Sequence, residues 1–265
     1  MNSHGKRHPP PRWLLLGCAL AAMGSAALLA GCKGNTTSAA VTERHVTKPP
    51  TIVAGRAAGD IQASNPLNGD IWKNAEWVEF SAPINNSRTT PPTRCAVLFD
   101  EQTLYIAAVS QTPATRAPEA TDKISFYVDT TAKGYELLEF SAAGGKVECT
   151  WLRSNSPAEP LEDGSPDLGF PVHILPNVEV PGLWCREFAG EAGEQAVVIG
   201  VPLASLPAPV RFAPSKATPW KINAVRTILV PREDGRRQRL ESDLSPIYMG
   251  AQAVSPYRMA ELKFQ

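Results

Sequence analysis

Three segments in the first half of the chain have the two-residue period of apolar side chains that is typical of strands. Apolar side chains recur at every second position in residues 94–99, 103–109 and 123–129, which is the period of a β-strand with one buried face. Asp100 and Gln102 stand at the corner between the first two segments, where such side chains favour local backbone hydrogen bonds. The pattern predicts three strands of one antiparallel sheet. On the third strand it assigns Ile124, Phe126 and Val128 to one face, and Ser125, Tyr127 and Asp129 to the other.

Two further hairpins are predicted later in the chain. Residues 135–140 and 146–152 flank one glycine-rich turn, and residues 183–188 and 195–201 flank another. Between the hairpins lies a long proline-rich segment, residues 154–181, and a loop of this length is more often functional than not. The 25 prolines of the 265 residues also favour many short strands over long helices.

A short segment before these strands contains a tryptophan that we predict to be buried. Within residues 63–80, an Asn-Gly turn at 68–69 precedes one predicted helical turn at 70–75 and a strand at 77–81. Trp72 lies in the helical turn. We interpret it as a core residue that closes one end of a sandwich, not as a platform for a ligand.

The first 31 residues read as an export leader. Residues 1–12 are basic and polar, residues 13–29 are apolar, and the segment ends in Leu-Ala-Gly-Cys at Cys32, which has the order of a secretory signal. The ending resembles a bacterial lipobox, which implies cleavage before Cys32 and a lipid on its sulfur. Lys33 follows, which favours the outer membrane. The alternative is a membrane-spanning anchor of residues 13–31.

The chain divides into three parts on composition. Residues 1–31 are the leader, residues 32–50 form a flexible Thr-, Ser- and Ala-rich tether, and residues 51–265 form one domain. Without the leader the chain has 23 basic and 26 acidic residues. This balance gives no electrostatic reason to expect a nucleic-acid partner.

A series of motifs resembles the family 9 carbohydrate-binding modules. Asn68-Gly69-Asp70, Trp72 and Ala75 are similar to the opening of that family, and the resemblance continues through residues 97–107, 122–129, 135–144, 198–206, 220–226 and 256–264. It covers residues 51–265 in the family's order. The resemblance implies an all-β, antiparallel β-sandwich that binds oligo- or polysaccharides without cleaving them.

The chain departs from the family at the ligand-binding positions. The two tryptophans that clamp a sugar in the family correspond to Glu119 and Ala253, and the family's strand glutamate corresponds to Ser125. A site must therefore be rebuilt elsewhere, and we expect it at the mouth of the 154–181 loop. Sugar sites combine aromatic faces with planar polar side chains. The candidates of these two kinds are Trp151, Trp184, Trp220, Glu139, Asn223 and Arg226.

Four of the six candidate residues could instead have a purely structural role. Trp220 precedes a strand and could belong to the core, and Arg226 could serve only in a salt bridge. Trp151 and Trp184 could pack beneath the 154–181 loop and hold it down.

The cysteines of the domain suggest a disulfide and no catalytic role. Cys149 and Cys185 lie on strands that the hairpin order could place side by side, and a disulfide bond is permitted in an exported protein. Cys95, between apolar neighbours, is predicted to be a buried thiol. His173 is the domain's single histidine, which leaves little for a thiol nucleophile.

No catalytic motif supports an enzyme. The chain has no G-x-S-x-G, no H-E-x-x-H and no phosphate-binding glycine loop, and Glu136, Glu139 and Glu148 are carboxylates for glycoside hydrolysis by count only. The prediction is a non-catalytic, carbohydrate-binding lipoprotein of the cell envelope that assists polysaccharide breakdown. No cofactor is predicted, with structural calcium as the one alternative left open. The competing prediction is a scaffold or adhesion module for another envelope protein.

Overall fold

Short strands and single turns of 3-10 helix account for the regular structure in the described part of the chain. The computed structural model describes residues 48–84, 89–112, 121–132, 136–154, 172–247 and 258–265. The strands are β1 (Thr51–Arg56), β2 (Val78–Glu79), β3 (Thr93–Phe99), β4 (Thr103–Gln111), β5 (Thr121–Asp129), β6 (Glu136–Ala143), β7 (Lys146–Ser154), β8 (Val172–Leu175), β9 (Trp184–Ala189), β10 (Glu194–Pro202), β11 (Trp220–Pro231), β12 (Arg237–Asp243) and β13 (Ala260–Phe264).

The strands form two layers that share one strand. Layer A has the order β8-β7-β6-β5-β11-β13, with β12 also paired to β11. Layer B has the order β3-β4-β10-β9, with β2 also paired to β3. Residues 51–54 of β1 pair with β13 in layer A, and Gly55 and Arg56 pair with β3 in layer B. Both pairings of β1 are parallel, and the other strand pairs of the described chain are antiparallel.

The core lies between the two layers. Alternate residues of each strand point inward, as the two-residue period requires, and the ring of Phe264 in layer A meets Trp220 and the layer B residue Phe99 edge-on, at 5.0 Å in each case. Burial of each such side chain stabilises the fold by about 1.5–3 kcal/mol. Inward-facing buried residues include Ile52, Val97, Ile106, Phe126, Phe140, Ile199 and Leu262.

The predicted strands are confirmed, with one correction to their pairing. β3 and β4 pair antiparallel in layer B, but β5 pairs with β6 and β11 in layer A. The third predicted strand therefore belongs to the opposite layer. The sequence did not predict this change of layer, because the period of side chains within a strand does not specify which strand it pairs with.

The helical turn at Trp72 is present, but its place differs from the prediction. Asp70–Trp72 is a turn of 3-10 helix, and Trp72 is 1% exposed. It packs on Leu98 and Val198, which point to the outer face of layer B, away from the space between the layers. This turn therefore covers one sheet from outside instead of closing an end of the sandwich.

Within the described ranges, no helix has the length and apolar character needed to cross a membrane.

Candidate functional site

A polar patch lies on the outer face of layer A, where β5 and β6 run side by side. β5 directs Ile124, Phe126 and Val128 into the core, so the intervening residues point outward. We call the patch the Glu139 cluster. It consists of Lys123, Ser125, Tyr127, Glu139 and Ser141.

The register of the two strands brings these side chains into contact. Tyr127 lies opposite Glu139, and Ser125 lies opposite Ser141. The hydroxyl groups of Ser141 and Tyr127 donate to Oε1 of Glu139 at 2.7 and 3.3 Å, and Nζ of Lys123 lies 3.4 Å from the same oxygen. The Oγ atoms of Ser125 and Ser141 are 3.0 Å apart. One carboxylate oxygen is thus held by three donors from two strands.

The surroundings of Glu139 keep its carboxylate ionised. Burial alone would raise its pKa, but hydrogen bonds from Ser141 and Ser125 and the charge of Lys123 together hold the pKa below its ordinary value. Burial, followed by the neighbouring Glu139 charge, raises the pKa of Tyr127. The cluster therefore combines an ionised carboxylate with the Lys123 amino group and three hydroxyl groups.

Apolar side chains surround the ring of Tyr127. They form two small groups outside the main core that both contact Tyr127, and their members come from β6, β7, β11 and the described residues on either side of positions 248–257. An aromatic ring held in this way has a fixed orientation beside the polar groups. The apolar neighbours are Leu137, Leu152 and Met259 in one group, and Val225 and Ile247 in the other.

Ser125 belongs to the Glu139 cluster. Its Oγ lies against Ser141, which in turn donates to Glu139. The carboxylate of the cluster comes from β6, the neighbour of β5.

Two buried acids of β12 border the cluster. Glu241 lies opposite Thr227, and Asp243 opposite Val225; both acids are fully buried. Glu241 forms an ion pair with Arg239. Oδ1 of Asp243 has no hydrogen-bond partner among the described residues. Burial, together with the charge of Glu241, raises the pKa of Asp243 to about 8.

Two of the predicted ligand residues are buried away from solvent. Trp220 is 1% exposed and lies in the core against Phe264, so neither face of its ring is open to a sugar. Asn223 is fully buried: its side chain donates to the Ser245 carbonyl at 3.3 Å and accepts the Ser245 amide at 3.0 Å. Trp220 therefore packs in the core, which was its structural alternative, and Asn223 binds the backbone of Ser245.

Arg226 also differs from its predicted role in ligand binding. Its guanidinium group is fully buried and donates to both oxygens of Asp122, at 3.0 and 2.6 Å. It donates further to Oγ1 of Thr93 at 3.0 Å and to the Gln111 carbonyl at 3.1 Å. Because Asp122 lies in layer A and the other two partners lie in layer B, Arg226 ties the two layers together. The salt-bridge alternative is therefore correct.

The two tryptophans predicted to flank the loop lie on different surfaces. Trp151 is half-buried against the core, with the Arg153 guanidinium 4.8 Å from its ring centre. Trp184 lies on the outer face of layer B, 6.3 Å from the ring of Tyr105. Its indole covers Gly200 so closely that a Cβ atom there would be 2.1 Å from Cε2. The structure therefore does not unite them in one site, and Glu139 lies on neither surface.

The three described cysteines are free thiols. The predicted Cys149–Cys185 disulfide is absent from the structure, although both residues pack on the core between the layers. Burial raises the pKa of Cys149 to about 12 and that of Cys185 to about 11, so both thiols stay protonated at neutral pH. Cys95 is buried as predicted, and burial raises its pKa to about 12.

Other predicted positions lie outside the described residues. These are the lipidation residue Cys32, the two clamp positions Glu119 and Ala253, and most of the 154–181 loop. In the described part of the chain, no three side chains of the metal-binding types come together.

The sequence contained a signal for part of the cluster that we did not use. Alternation in residues 123–129 had already placed Ser125 and Tyr127 together on the polar face. The partner residue Ser141 required knowledge of the β5–β6 register, which alternation alone does not supply.

Comparison with known proteins supports the architecture. No family model matches the sequence, and neither does any curated protein. A "putative carbohydrate-binding protein" from Bacteroides uniformis ATCC 8492 is similar in structure, with a TM-score of 0.57 and 10% identity over 82% of this chain and 100% of that one. Two structures of a family 9 carbohydrate-binding module from Caldicellulosiruptor kristjanssonii, with cellotriose and with glucose, have TM-scores of 0.48 at 12% and 13% identity. They cover 81% of this chain and 93% and 95% of theirs. At these identities the likeness concerns the fold, and the predicted β-sandwich is confirmed.

Proposed function

We propose that this protein is a non-catalytic carbohydrate-binding protein, and that the Glu139 cluster is its saccharide site. The observation that carries the proposal is the convergence of a carboxylate, an ammonium group, three hydroxyl groups and a fixed aromatic ring on one outer surface. Ser125, which the sequence resemblance aligns with the family's strand glutamate, belongs to this cluster.

The chemistry of the cluster suits neutral sugars. An ionised carboxylate accepts hydrogen bonds from sugar hydroxyls, and bonds to charged groups contribute about 1.5–3 kcal/mol each. Lys123 keeps its side chain 49% exposed and can donate to a ring or hydroxyl oxygen. The edge of Tyr127, held by its apolar neighbours, offers an apolar contact for the C–H groups of a sugar.

Affinity at this site is expected to be modest. The family's clamp contributes two stacking contacts, and the corresponding residues Glu119 and Ala253 are not aromatic. By analogy with stacking of nucleic-acid bases, each contact is worth about 1–3 kcal/mol, so their loss weakens binding by roughly tenfold or more per contact. Repeating polysaccharides, which present many copies of a weak epitope, are therefore the favoured ligands.

A hydrolytic role is disfavoured by the state of the carboxylate. Glycoside hydrolysis requires one carboxylic acid with a raised pKa to protonate the leaving group. The pKa of Glu139 is lowered instead, and Asp243, whose pKa is raised, is fully buried and cannot reach a leaving group. Glu136, another acid considered from the sequence, is paired with Arg153 at 3.3 Å.

The cellular setting of the proposal comes from the sequence and from the names of similar structures. The basic leader and the Leu-Ala-Gly-Cys ending support a lipid anchor at Cys32, most consistent with the outer membrane, where the domain would assist polysaccharide breakdown. The Bacteroides uniformis protein is described as carbohydrate-binding. That description concerns the Bacteroides uniformis protein itself, and it agrees with what we propose for this chain.

Affinity electrophoresis in gels containing soluble polysaccharides tests the saccharide site. Glu139→Gln keeps the size of the side chain and removes its charge. The apparent affinity for the polysaccharide that retards the wild type most should therefore fall at least tenfold. Glu101→Gln, at an exposed turn between β3 and β4, is the matched control and should bind like wild type. Equal retardation of all three proteins, or no retardation by any polysaccharide, would refute the proposal.

The anchor has a separate test. Cys32→Ala should abolish labelling by a radioactive fatty acid and release the protein from the membrane fraction. Quantitative retention of this variant in membranes would favour the spanning alternative of residues 13–31.

The edge of layer A provides the observation that favours the second candidate function. Ile174 and Leu175 of the edge strand β8 are 53% and 43% exposed, and an exposed apolar edge strand is a common docking element for another chain. A scaffold role would appear as a defined partner crosslinked to this edge. Loss of that partner in Ile174→Lys, with saccharide retardation unchanged, would identify the role.

A further inference from the structure

A groove of about 330 Å³ opens between the two layers at the end where β5 and β10 begin. This volume is at the lower end for small-molecule sites, which begin at about 300 Å³. The groove reaches solvent past the exposed residues Ala143, Gly144 and Ala189. The geometry points to a second saccharide site here, one that holds a single sugar residue by its hydroxyl groups.

One wall of the groove is a fixed polar chain. Buried Arg226 holds both oxygens of Asp122, and Nε2 of Gln195 donates to Oδ2 of Asp122 at 3.1 Å. Asp122 is only 8% exposed, so this carboxylate and its partners have little freedom. The bond from Nε2 fixes the orientation of the Gln195 amide, whose oxygen has no other partner among the described residues. A preoriented acceptor loses less entropy when it binds a ligand.

The opposite wall carries a second acceptor. Oε1 of Glu187, on β9, accepts the Gly145 amide of the β6–β7 turn at 2.6 Å. This bond joins layer B to layer A across the mouth of the groove. It holds the carboxylate in place, and its other oxygen has no partner in the described part of the chain. Glu187 and Gln195 therefore offer acceptors from two sides, the pattern that sugar hydroxyl donors require.

The floor between these walls is apolar. Ile124 and Ala142 from layer A and Val197 from layer B line it. Apolar lining with a few fixed polar groups is typical of small-ligand sites, and it complements the C–H faces of a sugar ring. Neither anion recognition nor nucleotide binding fits, because the Glu187 carboxylate lines the groove and the Arg226 charge is already neutralised by Asp122.

The groove is separate from the Glu139 cluster but built on the same two strands. Ser141 belongs to the cluster and the next residue, Ala142, lines the groove; Lys123 and Asp122 are divided in the same way. Successive residues of a strand point to opposite faces, so the two sites lie back to back through layer A. The inference extends the proposed function from one saccharide contact to two.

Backbone amide NMR of the full-length protein, titrated with glucose, tests the groove directly. Amides of Gly144, Gly145 and Ala196 should shift with saturation, in addition to those of Ser125 and Ser141. Cyclohexanol has a ring of the same size with a single hydroxyl group and should leave the groove amides unchanged. Equal shifts with cyclohexanol would show an unspecific apolar pocket and overturn the inference.

Two variants provide the matched comparison. Ala189→Phe fills the mouth from an exposed position that lies opposite Gln195 in the β9–β10 register, so it should preserve the fold and weaken glucose binding to the groove amides at least tenfold. Glu187→Gln should weaken it severalfold, whereas Glu191→Gln, an exposed acid on the neighbouring 3-10 turn, should have no effect. Unchanged binding in both groove variants would overturn the inference.

The two proposals fail in distinguishable ways. Shifts at Ser125 and Ser141 without shifts at the groove would overturn the groove alone. Shifts at the groove without shifts at the cluster would support the groove and refute the placement of the proposed function. No shift anywhere, up to the highest glucose concentration, would overturn both.

Discussion

The outer faces of the two layers differ in what covers them. The outer face of layer B is covered by aromatic side chains: Trp72, Tyr105, Trp184 and Phe188 pack over a row of small or apolar residues. The outer face of layer A carries the Glu139 cluster and the buried acids of β12 instead. The comparison teaches that in this sandwich the tryptophans stabilise a sheet, while the surface with ligand chemistry is rich in hydroxyl and carboxylate groups.

Trp72→Ala should have the largest effect on stability. Trp72 is 1% exposed, and deletion of a buried tryptophan side chain destabilises a fold by about 3–5 kcal/mol. Urea unfolding measures the loss. Retardation by polysaccharide, measured well below the unfolding transition, should be unchanged. Loss of binding with unchanged stability would mean that layer B carries the site, and the contrast between the faces would be wrong.

Gly200→Ala should destabilise the same face to a lesser degree. The new Cβ would lie 2.1 Å from Cε2 of Trp184, so the indole has to move, and overpacking of this kind costs about 1–3 kcal/mol. Gly55→Ala is the graded control, because its Cβ would lie 3.3 Å from a flexible Leu98 methyl group. Near-ultraviolet circular dichroism should change in the first variant and hardly in the second. The reverse order of stabilities would contradict the packing described for Trp184.

Asp243 should make the layer A face sensitive to pH. Its pKa is about 8 in the folded protein, above the ordinary value near 3.8, so the folded state binds the extra proton between these values. Stability should therefore fall as the pH rises from about 4 to about 8. Glu241 and Arg239 are the charged groups that face it.

Asp243→Asn isolates that contribution, since asparagine does not titrate and still accepts the Ile247 amide. The variant should gain on the wild type as the pH rises, by about 1–3 kcal/mol at pH 8, the usual range for an uncompensated buried polar group. Thermal unfolding at a series of pH values measures the difference. Parallel pH profiles for the two proteins would rule out Asp243 as the source.

Ser141→Ala should have the smallest effect on stability and a clear effect on binding. It removes the 2.7 Å hydrogen bond to Glu139 and the contact with Ser125, a net change of about 0.5–1.5 kcal/mol. Retardation by polysaccharide should weaken severalfold because Glu139 loses its positioning donor. Ser141→Thr, which keeps the hydroxyl group, should restore much of the binding. Failure of threonine to restore it would indicate that shape, not the hydrogen bond, matters here.

Alternation was sufficient to predict the strands and the two faces of β5. It could not predict that β5 lies in the opposite layer from β3 and β4, since a strand's period carries no information about its neighbours. Glu139 was named from the sequence and lies in the candidate site. Its partners Tyr127 and Ser141 depend on the β5–β6 register.

The errors among the site residues have one physical origin. Trp220, Asn223 and Arg226 were selected because their side chains are of the types that bind sugars, and the same properties suit them to the interior. A large ring fills the core, and an amide or guanidinium group satisfies buried backbone carbonyls. Residue type specifies the interactions that a side chain can make. Burial, which a single sequence does not give at this resolution, decides where it makes them.

The shared strand β1 has a consequence for the order of assembly. Its first half pairs with β13, so a strand near the start of the domain waits for a strand about 200 residues later in the chain. Because β1 is synthesised before β13, its first half has no partner until β13 is available. Layer B can form earlier from its local hairpins, and closure of the sandwich is then the slow, non-local step. Deletion of β13 should therefore leave an incompletely folded, protease-sensitive chain.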